Sequence, residues 1–161
     1  MKDEGGRMNP NCNLPRRARS WKGKTGTAEI RDDRGGGVES QIRCYRDLKV
    51  WQKGIDLVAE VYRQTASFHQ AEQFGLTSQA RRAAVSIPAN IAEGHSRQHR
   101  REFRNFLSMA MGSLAELETH FEIAVRLGYL TQIRCDELLM KTVEINKMLH
   151  GLLKALPAPD P

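Results

Sequence analysis

Between Leu48 and Leu156, apolar side chains recur every three or four residues in four successive stretches, separated by glycines, prolines or short polar runs. That spacing is the helical period, not the two-residue alternation of a half-buried strand, so each stretch must bury one face of a helix. The first stretch, read as a helix over 47 to 67, carries Leu48, Trp51, Ile55, Val58, Tyr62 and Thr65, with Asp47 placed as its cap. The second begins after a capping Thr77, runs to about Glu93 and ends at Gly94, with Ala80, Ala84, Ile87 and Ile91 as its buried line.

The third is the longest, from Ser96 or His99 to Leu127, with Phe103, Phe106, Leu107, Ala110, Leu114, Leu117, Phe121 and Val125 on one side. Gly128 is placed as the residue just past its end. The fourth starts after Thr131 and carries Ile133, Leu138, Val143, Ile145, Leu149, Leu152 and Leu156 before Pro157, Pro159 and Pro161 forbid continuation. Four amphipathic helices with short links bury their stripes together as an all-α, up-down antiparallel four-helix bundle. Pro88 falls inside the second helix, where it removes one backbone hydrogen bond and predicts a kink near Ala84.

Residues 1–44 differ in kind. They are rich in Gly, Arg, Asp and Asn without an apolar period, and too little is buried there to offset chain entropy, so a disordered basic segment is expected, followed by one bundle domain over 45–157. Of the net charge of +6, much lies in this head: ten Lys/Arg against six Asp/Glu, compared with fifteen against thirteen in the remainder. The cluster Arg16, Arg17, Arg19, Lys22 and Lys24 around Trp21 reads either as a nucleic-acid arm or as a solvated tail. A third reading of the head takes Val38 as the native start, translated from GTG, with residues 1–37 an extension of the gene model; an intact mass including those residues refutes it.

Cys12, Cys44 and Cys135 are odd in number and widely spaced, which indicates neither a disulfide framework nor a zinc site and fits a reducing cytoplasm. No run reaches the roughly 18 apolar residues of a membrane span, so no membrane partner is expected. No Glu is followed by His at the three-residue spacing of a bundle di-iron centre; Glu116 and His120 share a face as a single pair, and no metal or cofactor is expected. Arg63 and His69 are spaced in a way reminiscent of helical endoribonucleases of the HEPN class, but two residue types are too few to define a catalytic pair, and no catalytic residue is assigned.

Two polar constellations remain. Gln79, Arg82, Ser86, Asn90 and Glu93 form a stripe on the second helix, with Ser113, Glu116 and Thr119 as candidate partners on the third; such a stripe fixes register and assembly, or serves as a binding surface. Downstream, Arg97, Arg100, Arg101 and Arg104 crowd the start of the third helix with His95 and His99, and Arg81 and Arg82 join them if the bundle brings that end close. Cations at a helix N-terminus oppose its dipole, so folding does not favour them and phosphate binding does; a solvated charged turn is the other reading.

The stretches YRDLKVWQKGIDLV, FGLTSQARRAAVSIPANIAEG and EFRNFLSMAMGSLAELETHFEIA, in order over Tyr45 to Leu156, closely resemble the four-helix-bundle proteins encoded by intervening sequences of bacterial 23S ribosomal RNA genes. The resemblance implies a non-catalytic homo-oligomer, a ring-shaped homopentamer, and distantly the accessory protein of diversity-generating retroelements, which binds nucleic acid and a reverse transcriptase. The matching positions are Gln79, Arg82, Ser86, Asn90 and Glu93, then Gly112, Ser113, Glu116 and Glu118; His69 departs from the proline common in relatives. Nucleic-acid binding through the arginines is thus the leading expectation. An adaptor for a protein partner such as a reverse transcriptase is the alternative, and a HEPN-like ribonuclease the third.

Overall fold

The computed structural model describes residues 44–97 and 99–156; the expectations for residues 1–43 and for the final prolines lie outside them. Four helices follow one another: α1 (Lys49–Thr65), α2 (Leu76–Ser96), α3 (Arg100–Arg126) and α4 (Gln132–Ala155), with 3-10 turns at Tyr45–Asp47 and Gln70–Gln73. Each helix packs on the next and α4 returns to α1, while the diagonal pairs stay apart. This is the expected all-α up-down bundle. One end gathers the Tyr45–Asp47 turn, the α2–α3 connection and the C-terminus of α4; the other gathers the α1–α2 and α3–α4 connections.

The helix starts depart from the sequence reading in two places. Asp47 does not cap α1: its carboxylate accepts the Cys44 N–H at 3.0 Å and closes the preceding 3-10 turn, while Leu48, with no side-chain cap, precedes the helix. Thr77 is buried inside α2, and the first N–H of that helix, Leu76, is taken instead by the Glu72 carboxylate at 3.0 Å. Thr131 behaves as expected, accepting from the Arg134 N–H at 3.4 Å. Gly128, at φ 73°, ends α3 in a Schellman motif, with the Gly128 N–H bonded to Val125 and the Tyr129 N–H to Ala124.

The core faces of α2 and α3 are those expected, including Ala80, Ala84, Ile87 and Ile91 opposite Leu107, Ala110, Leu114, Leu117 and Phe121. Those of α1 and α4 are so only in part: Leu48 and Thr65, and Leu138, Ile145, Leu149 and Leu156, are buried as expected. On α1 the buried line is Val50, Gly54, Leu57, Val61 and Thr65, one residue away from the expected Trp51, Ile55, Val58 and Tyr62. On α4 it is Cys135, Leu138, Thr142, Ile145 and Leu149, and Ile133 and Val143 are exposed. Both helices carry two adjacent apolar stripes, and the bundle buries one of each.

α2 and α3 form the most extensive contact, because small residues bring their axes together. Gly94 does not end α2, which continues to Ser96; it is buried where a Cβ would stand 2.6 Å from the Phe106 Cβ and 2.9 Å from Phe103 Cδ2. Pro88 lies in the interior of α2, which runs through it without interruption, and packs against Gly54 of α1.

Candidate functional site

The polar stripe of α2 divides into a buried centre and exposed ends. Ser86 and Asn90 are half-buried, and Asn90 Nδ2 donates to Ser86 Oγ at 2.9 Å. Ser86 Oγ lies 2.9 Å from Ser113 Oγ on α3, which is 3.1 Å from the Met109 carbonyl. With one proton per hydroxyl, the chain runs in a single direction: Asn90 amide to Ser86, Ser86 to Ser113, Ser113 to the carbonyl. Every buried hydroxyl in it is satisfied, and the network locks the register of α2 against α3.

Gln79, Arg82 and Glu93 are exposed. Glu93 pairs with Arg97 one turn later. On α3, Glu116 is exposed and stands 3.6 Å from His120 Nε2, the expected single pair, while Thr119 turns back to the Ala115 carbonyl at 2.9 Å instead of meeting α2. A Cβ at Gly112 would meet nothing within 4 Å, which leaves this stretch of α3 open beside the stripe.

The arginine cluster is also divided. Arg97, Arg100 and Arg101 are exposed at the α2–α3 connection, and the side chain of His99, which precedes α3, does not cap its first N–H groups. Arg97 is held by Glu93 and by the face of Phe106, 5.2 Å below its guanidinium. Arg104 is committed elsewhere: its Nη1 donates to the Leu153 and Leu156 carbonyls at 2.9 and 3.2 Å, capping the end of α4.

Arg81 does not join this group. It lies sixteen residues before Arg97 on one helix, about 24 Å away at 1.5 Å per residue. There its Nε donates to Thr65 Oγ1 at 2.9 Å and its guanidinium lies 4.6 Å from the centre of the Tyr62 ring. It clamps the last turn of α1, where a cation complements the helix dipole. Arg104 does the same for α4. Neither role was readable from the sequence, because the carbonyls or hydroxyl each arginine meets belong to another helix.

His95, at the arginine end, packs edge-on to Phe103, and burial lowers its pKa below 6.5 against the smaller opposing pull of Asp47. The expected ribonuclease residues have separate partners. Arg63 pairs with Glu60 at 3.0 Å, and His69 Nδ1 accepts from the Ala71 N–H within its own turn. Arg63 does line a groove of about 470 Å³ between α1 and α4, with Glu60, Gln64, Arg134, Glu137 and Lys141. Its charges are largely matched in pairs, and the sequence reading did not single it out. The Gln64 hydrogen bond holds the Glu60 carboxyl below its usual range, burial opposes it, and Arg63 reinforces it.

Among the described residues no group of three or more His, Cys, Asp or Glu is placed to hold a metal, and no helix is long and apolar enough to cross a membrane. Cys44 and Cys135 are free and buried, and burial pushes the Cys135 thiol up.

The fold and this polar seam define a small up-down helical bundle whose outer surface, rather than an enclosed cavity, carries its distinctive side chains. The chain belongs to the 23S rRNA-intervening sequence protein family, whose model matches residues 46–151. Among solved structures it is similar to a protein of unknown function of the S23 ribosomal protein family from Bacteroides thetaiotaomicron, at 28% identity and a TM-score of 0.59 over 65% of this chain and 98% of that one. A comparison with curated proteins gave no significant match.

Proposed function

We propose that this protein is a non-enzymatic, cytoplasmic homo-oligomer, a pentamer by its resemblance, that binds RNA or DNA at the bundle end carrying Arg97, Arg100 and Arg101. The observation that carries the reading is the first turn of α3. Arg100 and Arg101 stand there against the helix dipole, beside Glu102 and N–H groups that the His99 side chain does not cap. Each cation so placed costs the fold about 0.3–1 kcal/mol, whereas a phosphate at that position meets both the cations and the amides.

The arrangement discriminates within the cluster. Arg104 holds α4 and is retained in the test, while Arg97, Arg100 and Arg101 are changed together to Ala. The variant should keep its helical content and lose affinity for single-stranded and duplex nucleic acid alike. Its salt dependence should flatten by about one unit of slope per phosphate contact removed. Unchanged affinity and slope would exclude this surface. A protein partner surviving a pull-down from nuclease-treated lysate, with no nucleic acid bound by the purified protein, would favour the adaptor reading instead.

A further inference from the structure

Two arginines at the bundle end that holds the α2–α3 connection lie over aromatic rings. Arg97, 45% exposed, pairs with Glu93 and has its guanidinium 5.2 Å from the centre of the half-buried Phe106 ring. Gly94 makes that platform possible, because its missing side chain lets Phe106 press against α2. Arg46, which the basic pattern of the sequence does not single out, is exposed in the turn before α1, its guanidinium 5.6 Å from the centre of the Tyr45 ring. That ring is itself held edge-on against Trp51 at 5.3 Å. The turn packs on α2, and its Asp47 carboxylate acts on the imidazole of His95, two residues before Arg97. Both platforms therefore belong to one end of the bundle.

An arginine placed in this way is a weak phosphate ligand and a good surface for a base. The charge of Arg97 is already met by Glu93, whose carboxylate also repels a phosphate brought beside it. Its guanidinium rests on a ring and keeps the rest of its surface toward solvent, and a flat cation is a group on which a nucleobase stacks. Arg101, exposed in the first turn of α3, has neither a ring nor a carboxylate on it among the described residues and suits the backbone. A base inside a duplex offers only its edges, because its neighbours cover both faces; an unpaired base offers a face.

We infer that this end takes single-stranded nucleic acid, with unpaired bases stacking on Arg97 over Phe106 and on Arg46 over Tyr45 while Arg101 meets the phosphates. The inference rests on the nucleic-acid reading and names the class of strand. It adds Arg46 to the surface, and it gives Arg97 a part in choosing the ligand that its charge alone would not.

Three probes separate base from backbone: oligothymidylate, an abasic deoxy strand of the same length, and a duplex. The unaltered chain should bind oligothymidylate about fivefold or more tighter than the abasic strand. Arg97→Lys combined with Arg46→Lys keeps both charges and removes both flat groups. It should erase that preference while leaving the abasic and duplex affinities, and the salt slope, as they were. Circular dichroism checks that the double variant stays helical; if it does not, the two changes are read singly, each removing part of the preference. Trp21 of the N-terminal segment is the same in every protein compared, so a base preference that survives the changes would overturn the assignment to these two arginines. Equal binding of oligothymidylate and the abasic strand by the unaltered chain would overturn base stacking altogether. In both cases the nucleic-acid reading stands, whereas no binding of any of the three probes would overturn that reading as well.

Discussion

Arg104 donates from one nitrogen to the Leu156 carbonyl at 3.2 Å and to that of Leu153 at 2.9 Å. An arginine that reads as part of a basic surface cluster is therefore a bolt between the second turn of α3 and the last of α4. Its charge lies where the α4 dipole is negative and its carbonyls have no helical partner. The neighbouring Arg101 is exposed. The two side chains separate stability from the binding proposed for this end.

Arg104→Ala should accordingly destabilise the bundle by about 1.5–3 kcal/mol, the range for hydrogen bonds from a charged donor. Arg101→Ala, on the surface, should stay within about 0.5 kcal/mol. Urea unfolding followed by circular dichroism compares them. Equal effects would mean that Arg104 contributes nothing to holding α4.

Gly94→Ala tests the close approach of α2 and α3. In an unhindered helix this change stabilises, since Gly costs roughly 0.5–1 kcal/mol relative to Ala. Here the added methyl meets Phe106 Cβ at 2.6 Å, an atom fixed to the backbone of α3, so relief requires the helices to part. A loss of about 1–3 kcal/mol is expected, as for other overpacked cores. A higher melting temperature would show that the α2–α3 spacing yields easily.

The helices themselves were legible in the sequence because their period is sustained and Thr131 and Gly128 punctuate it with recognisable chemistry. Which face of α1 goes inward was not. Val50, Leu57 and Val61 compete with Trp51, Ile55, Val58 and Tyr62. The buried face also includes Gly54, packed against Pro88, which no hydrophobic pattern scores. Gly94 was misread as a terminator for the same reason: its role depends on Phe103 and Phe106 folding back over it. At the site, the stripe spacing placed Ser86 and Asn90 correctly on one face. The separation of Arg81 from Arg97 followed only from the length of a helix that Pro88 does not break.

The Ser86–Ser113 contact should behave as a coupled pair. Ser113→Ala leaves the half-buried Ser86 hydroxyl with no acceptor on α3, at a cost of about 1 kcal/mol, and Ser86→Ala takes the acceptor from the Asn90 amide while Ser113 keeps its bond to the Met109 carbonyl. Removing both should cost less than the sum, with a coupling of roughly 0.5 kcal/mol or more in a double-mutant cycle. Strict additivity of the two unfolding energies would show that the hydroxyls do not bond.

His95 sets a pH dependence whose sign is fixed by its surroundings. Burial against Phe103 lowers its pKa in the folded protein below the 6.5 of an exposed imidazole, and the nearby Asp47 only partly offsets this. Between those two pKa values the unfolded chain binds more protons than the folded one, so stability increases with pH through that window. The contribution is fully present above pH 6.5 and is lost as the pH falls through the lower, folded value. Acidification from pH 7.5 toward 5 should therefore loosen the bundle end at which His95, Asp47 and the arginines meet. His95→Gln should flatten the dependence of the urea midpoint on pH over that interval, while Asp47→Asn, by removing the opposing charge, should steepen it. Unchanged slopes in both variants would mean that the imidazole titrates as though exposed and that its packing on Phe103 is not maintained in solution.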